Sequence, residues 1–170
     1  EALRAADPAW NAYRRIGERR IGAAPGGIDW NRSYATPPSD APVRGGVLLL
    51  HGLSDSPYSL RHVAAQYEAA GFVVVMPRLP GHGTVPAGLR DAQWTDWLAV
   101  AEVGARELRA RIGADRPLHL VGYSNGGALA LKYAMDRVDD GDDGTLPRPD
   151  RLVVMSPMIG VGRLAAFSRL

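Results

Sequence analysis

The sequence contains no cysteine, which excludes disulfides and thiolate metal sites and leaves the redox compartment open. No apolar run approaches the roughly 20 residues that a membrane-spanning helix needs. Net charge is only +2, and the arginines behind the basic pI are scattered along the chain, so no nucleic-acid partner is indicated. The four histidines, His51, His62, His82 and His119, all lie upstream of residue 120, and none follows. The acidic run at 139–144 lacks the regular ligand alternation and closing glutamate of a calcium loop, and reads as a solvated surface loop. No metal and no cofactor is implied. The chain starts at Glu1 rather than at a methionine. Compartment is therefore left open, extracytoplasmic or membrane-associated if a leader preceded Glu1.

What is present is a chain of one-domain length, 170 residues, whose apolar residues fall into alternating strand and helix patterns. Residues 1–27 read as a helical arm. Trp10, Tyr13 and Ile16 share one side of it, and arginines 14, 15, 19 and 20 make a basic face. A docked arm with that face in water is preferred over a membrane-surface helix. Residues 28–34 suggest a weak edge strand, and 36–46 a proline- and glycine-rich loop. Residues 46–50 (Gly-Val-Leu-Leu-Leu) form a buried strand of the kind a parallel sheet uses. Leu60, Val63, Ala64 and Tyr67 mark a helical stripe over 57–70, with Ser56 as N-cap and Gly71 as stop. Phe72–Met76 is the next buried strand. Trp97, Ala101, Ala105, Leu108 and Ile112 face one way along a helix closed by Gly113, and Arg151–Met155 is a last strand. Strands alternating with helices predict an α/β domain with a mostly parallel sheet.

The chain is organised around Leu118-His119-Leu120-Val121-Gly122-Tyr123-Ser124-Asn125-Gly126-Gly127, an apolar strand that breaks at Gly-x-Ser-x-Gly and resumes as helix formers. A serine on so sharp a turn projects its hydroxyl above the sheet from a strained backbone. Gly122 and Gly126 lack the Cβ atoms that would collide where strand and helix pass closely. Ser124 then stands at a helix N-terminus, where unpaired amides favour developing negative charge. The same glycines could imitate a dinucleotide-binding turn, but that fingerprint belongs on the first strand–helix unit of its fold. A glycine-rich corner without chemistry is the remaining alternative.

Together with His51-Gly52-Leu53 after the first buried strand and Pro80-Gly81-His82-Gly83 after the second, this stretch resembles the α/β-hydrolase superfamily. Within it, the chain looks most like the serine carboxylesterases and monoacylglycerol lipases. The resemblance runs from about Gly46 to about Pro157, so 28–157 is expected to be the N-terminal portion of that core and 158–170 the start of a cap. It implies Ser124 as catalytic nucleophile and the backbone N–H groups of Leu53 and Asn125 as oxyanion hole, supported by His51, Gly52, Gly122 and Gly126. Trp94 and Trp97 also fall where such enzymes place similar residues.

The superfamily orders its triad as serine, acid, histidine, and here no histidine follows Ser124. The expectation is that this chain is only the N-terminal part of the enzyme, and that acid and histidine lie in a C-terminal remainder that is a separate chain or absent. Otherwise the base comes from an upstream histidine, His82 being best placed, or the protein is a catalytically silent binding module on a hydrolase fold. The expected activity is hydrolysis of a carboxylic ester, on a small-molecule or lipid-like substrate. Peptidase or thioesterase chemistry on the same fold is the runner-up, since fold and turn do not fix the leaving group.

Overall fold

The computed structural model describes residues 31–37, 40–83, 86–139 and 145–160. The N-terminal arm, the acidic run from residue 140 onward and most of the expected cap segment lie outside the described residues. Five strands form one sheet in the order β1-β3-β2-β4-β5. They are β1 (Tyr34–Ala35), β2 (Gly45–Leu50), β3 (Phe72–Met76), β4 (Leu118–Tyr123) and β5 (Arg151–Met155). Only β1 is antiparallel, pairing with β3; the other pairs are parallel. The α/β class with a mostly parallel sheet is as the residue pattern predicts.

Every residue of β2 is buried, because this central strand is covered on both faces. Val47 and Leu49 point to one face, joining Val74, Met76 and Val121 under helix α1 (Arg61–Ala69) through Ala64. Leu48 and Leu50 point to the other, joining Leu118 and Leu120 under α2 (Trp94–Ile112) and α3 (Asn125–Asp139). This is the period-two alternation of a strand read on two sides at once, and it explains why the sequence shows a continuous apolar run. From α2, Ala101, Ala105, Leu108 and Ile112 all enter the second core, as their helical spacing predicts.

Local signals are partly as expected. Gly71 ends α1 with φ +80 and Gly113 follows α2 with φ +79. The α1 segment opens with a 3-10 turn at Pro57–Leu60, and Ser56 occupies its N-cap position. Contrary to expectation, the Ser56 hydroxyl does not cap the helix but donates to the Asn31 side-chain oxygen. The preceding loop thereby takes the group that local sequence assigns to the helix. The edge strand β1 is two residues long and is held by side chains as well as by its ladder. The hydroxyls of Tyr34 and Thr36 both donate to Glu68 of α1, at 2.6 and 2.8 Å. Burial beside that carboxylate pushes the Tyr34 phenol up to about 12.

The connections place one feature of consequence. From β2 the chain moves through α1 to β3 on one side, then crosses through α2 to β4 on the other side of β2. The ends of β2 and β4 therefore flank the point where the winding reverses, the position where open parallel sheets hold ligands. Since Leu108 is fully buried in the core under α2, Leu108→Ala should cost about 2–5 kcal/mol of folding free energy in urea melts. A loss below about 1 kcal/mol would contradict the packing described.

Candidate functional site

β4 ends at Tyr123, and α3 begins at Asn125. Ser124 alone makes the reversal, with φ +52, a left-handed conformation unusual for a residue with a side chain. Its backbone is fixed from three directions. The Ser124 N–H donates to the Met155 carbonyl of β5, while its own carbonyl accepts from Ala128 and Met158. Such a conformation persists only where surrounding structure enforces it.

The enforcing contacts come from glycine. A Cβ on Gly122 would strike the Gly126 carbonyl, and one on Gly126 would strike the Leu50 carbonyl and lie 2.6 Å from that of His51. The first turn of α3 thus rests directly on the end of β2. Gly52 in turn packs on the Tyr123 ring, where an added Cβ would meet Cδ1 at 3.2 Å. The turns after β2 and β4, which sequence reasoning names separately, are in contact. Asn125 is buried, and its side-chain Nδ2 has no hydrogen-bond partner among the described residues. Its amide and that of Gly126 precede the first N–H used inside α3, that of Ala128 bonded to Ser124. Around the turn, Leu53, Tyr123, Met158 and Ile159 are exposed apolar residues.

His51 is fully buried, and both ring nitrogens are engaged. Nε2 accepts from the Leu79 N–H at 3.1 Å, so the proton resides on Nδ1, which donates to the Gly52 carbonyl at 2.9 Å. His82 is 2 % exposed. Its Nδ1 is 2.9 Å from the Pro80 carbonyl, its ring lies between those of His51 and Trp97 at centroid separations of 5.0 and 5.2 Å, and its Nε2 has no partner among the described residues. His119 bonds the Tyr67 hydroxyl and packs against Phe72, and His62 is exposed. None of the four is hydrogen-bonded to Ser124 among the described residues. His82 is bonded through Nδ1 to its own loop. Asp150 lies away from the turn: its carboxylate accepts the Leu118 N–H at the opposite, N-terminal end of β4.

The sequence alone did not reveal the link between Trp97 and this loop. Its indole N–H donates to the same Pro80 carbonyl, at 3.0 Å. Helical spacing marks Trp97 as a core-facing residue, and its polar atom shows no period from which a partner could be read.

Burial holds the His51 ring well below the usual imidazole range, at about 4. Between about pH 6.5 and 4 the unfolded chain binds a proton that the folded chain refuses, so stability present above pH 6.5 is lost as pH falls, by up to roughly 3 kcal/mol from this group. Urea melts across that window should show the decline, and the His51 ring should remain neutral by NMR down to about pH 4. A ring titrating near its ordinary value would contradict the burial described.

Comparison with known proteins adds the family. The chain is 38% identical over 94 residues to a thermostable monoacylglycerol lipase of Bacillus sp. (strain H-257), a match covering 55% of this chain and 36% of that protein. It is 32% identical over 133 residues to the magnesium-chelatase 30 kDa subunit of Rhodobacter capsulatus, covering 75% of this chain and 40% of the relative. Among solved structures, a metagenome-derived lipolytic enzyme from the LipS and LipT pair aligns with a TM-score of 0.65 at 29% identity, over 82% of this chain and 51% of that one. The chain thus spans about two fifths of the curated relatives and half of the solved one. Residues 47–170 match the alpha/beta hydrolase family as a whole. That match includes both strand-end turns and the helix behind Ser124, and the chain belongs to the alpha/beta hydrolase family.

Proposed function

We propose that this chain carries the nucleophile half of a serine esterase acting on carboxylic esters with an apolar acyl group. The observation that carries this is the forced left-handed turn at Ser124, pressed against the His51-Gly52-Leu53 turn at the reversal point of the sheet. In this reading the Ser124 Oγ attacks the ester carbonyl carbon, and its proton passes to a base. The resulting oxyanion is received by the Leu53 and Asn125 N–H groups, of which each would supply about 2.7–4 kcal/mol. Collapse expels the alcohol, protonated by that base, and leaves an acyl group on Ser124. Water, deprotonated by the same base, then releases the carboxylic acid.

The base and its orienting acid are assigned to sequence beyond this chain. Support comes from the four histidines present, none of which is hydrogen-bonded to Ser124 among the described residues, with both nitrogens of His51 engaged and His62 in solvent. It comes also from β5, whose Leu152 and Val153 are exposed along the outer strand of the described sheet, an edge that further strands would cover. The exposed apolar residues around Ser124 (Leu53, Tyr123, Met158, Ile159) favour a lipid-like acyl chain. The lipase and lipolytic names among the relatives point the same way.

A second reading has one specific observation in its favour: a relative of comparable identity bears the name of a chelatase subunit rather than of a hydrolase. On that reading the fold serves as a non-catalytic binding module.

A fluorophosphonate probe separates the two. The full-length protein should be labelled, and Ser124→Ala should abolish labelling and lower ester hydrolysis by at least about a thousandfold while leaving the unfolding midpoint unchanged. A full-length protein that resists the probe and cleaves no ester would favour the binding module.

A further inference from the structure

Beside the Ser124 turn stands a carboxylate without a partner. Asp55 lies two residues beyond Leu53, and its backbone N–H donates to the Gly52 carbonyl at 3.2 Å, closing the turn after β2. Its side chain folds back over that turn. A Cβ added to Gly52 would meet Asp55 Oδ2 at 3.1 Å and the Tyr123 ring at 3.2 and 3.3 Å, so carboxylate oxygen and ring border the same spot. Tyr123 immediately precedes Ser124 and is exposed, while Asp55 is half-buried. Among the described residues the Asp55 carboxylate has neither a hydrogen bond nor an ion pair. Arg61, the basic residue nearest in sequence, is turned elsewhere. Its guanidinium lies 3.8 Å from the Tyr58 ring centroid and donates to the Tyr58 carbonyl.

A carboxylate partly withdrawn from water is stabilised by a cation, and an aromatic ring beside it offers the same charge a second attraction. One carboxylate and one ring do not make a metal site, and no group of three metal-ligating side chains occurs among the described residues. An organic ammonium group, which requires no shell of oxygen ligands, suits both neighbours. Leu53, Met158 and Ile159 offer the acyl chain an apolar surface, so the charge falls to the alcohol portion of the ester. We propose that Asp55 and Tyr123 form a subsite for a positively charged alcohol, an amino or quaternary ammonium alcohol, making this a hydrolase of cationic esters. The inference rests on the reading of this turn as the site of a serine esterase and names the alcohol class it takes. A negative charge so close to the Leu53 amide also opposes growth of an oxyanion there. A substrate that brings its own positive charge cancels that opposition.

Two esters of one acid separate charge from shape: choline butyrate, and 3,3-dimethylbutyl butyrate, in which a neutral carbon replaces the ammonium nitrogen. With the full-length protein, kcat/KM for the cationic ester should exceed that for the neutral one by about tenfold, the order that a half-exposed charge contact and a ring contact supply together. The ratio should fall toward unity as salt is raised from about 0.05 to about 0.5 M. Asp55→Asn keeps the side chain's shape and the backbone bond to Gly52, and should bring the ratio to within about twofold of unity. Tyr123→Leu should lower it about threefold. A wild-type ratio at or below unity, or a ratio unchanged in Asp55→Asn, would overturn the proposal. So would faster cleavage of glyceryl monobutyrate than of either ester, since the carboxylate would then serve a hydroxyl. Each of these outcomes leaves the esterase reading intact, because an ester is still turned over. Labelling of Ser124 by the fluorophosphonate without cleavage of any of the three overturns the proposal alone, and absence of both labelling and cleavage overturns the two together. Should Asp55→Asn fail to fold, the wild-type ratio and its salt dependence decide by themselves.

Discussion

The seating of helix α3 on the end of strand β2 is the contact on which the rest depends. Gly126 approaches the Leu50 and His51 carbonyls so closely that no side chain can intervene, and Gly122 approaches the Gly126 carbonyl in the same way. Backbone packed on backbone leaves one residue in which to reverse direction, and Ser124 takes the left-handed conformation that this demands. The strain, of order 1–3 kcal/mol for a residue with a side chain, is offset by the bonds fixing its amide to Met155 and its carbonyl to Ala128 and Met158. The Asn125 and Gly126 amides that follow precede the first N–H used inside the helix.

The same seating explains why the turn after β2 matters. His51 leaves a strand buried on both faces and enters a space where a charged ring would be costly, so it remains neutral and spends its two nitrogens on Gly52 and Leu79. Electrostatic stabilisation of a transition state is effective when the donors are fixed beforehand, since nothing need then reorganise during reaction. A neutral, doubly bonded histidine behind the turn fixes the Gly52 carbonyl without placing a charge beside it.

Much of this was legible in the residues. The two-sided burial of Val47 to Leu50 follows from an unbroken apolar run, and α2 from the spacing of Trp97, Ala101, Ala105, Leu108 and Ile112. Gly71 and Gly113 stand where a positive φ is needed. The Gly122-x-Ser124-x-Gly126 spacing carries its steric reason within it. Illegible were the links that depend on where a loop lands. Ser56 has the chemistry of a helix cap, yet Asn31, distant in sequence, competes for its hydroxyl. The Pro80 carbonyl gathers Trp97 and His82 through a loop whose course no periodicity encodes. At the two-residue β1 edge, Glu68 bonds Tyr34 and Thr36, a pairing that depends on the docking of α1.

The central claim is that the hydroxyl of Ser124 becomes covalently acylated by an ester. The most direct measurement is mass spectrometry of the full-length protein, quenched in acid within the first turnover of a short-chain p-nitrophenyl ester and then digested. The account predicts one acyl group on the peptide containing Ser124, released again when the quench is delayed. An acyl group on another residue, or ester hydrolysis with no acylated protein at any time, would contradict it.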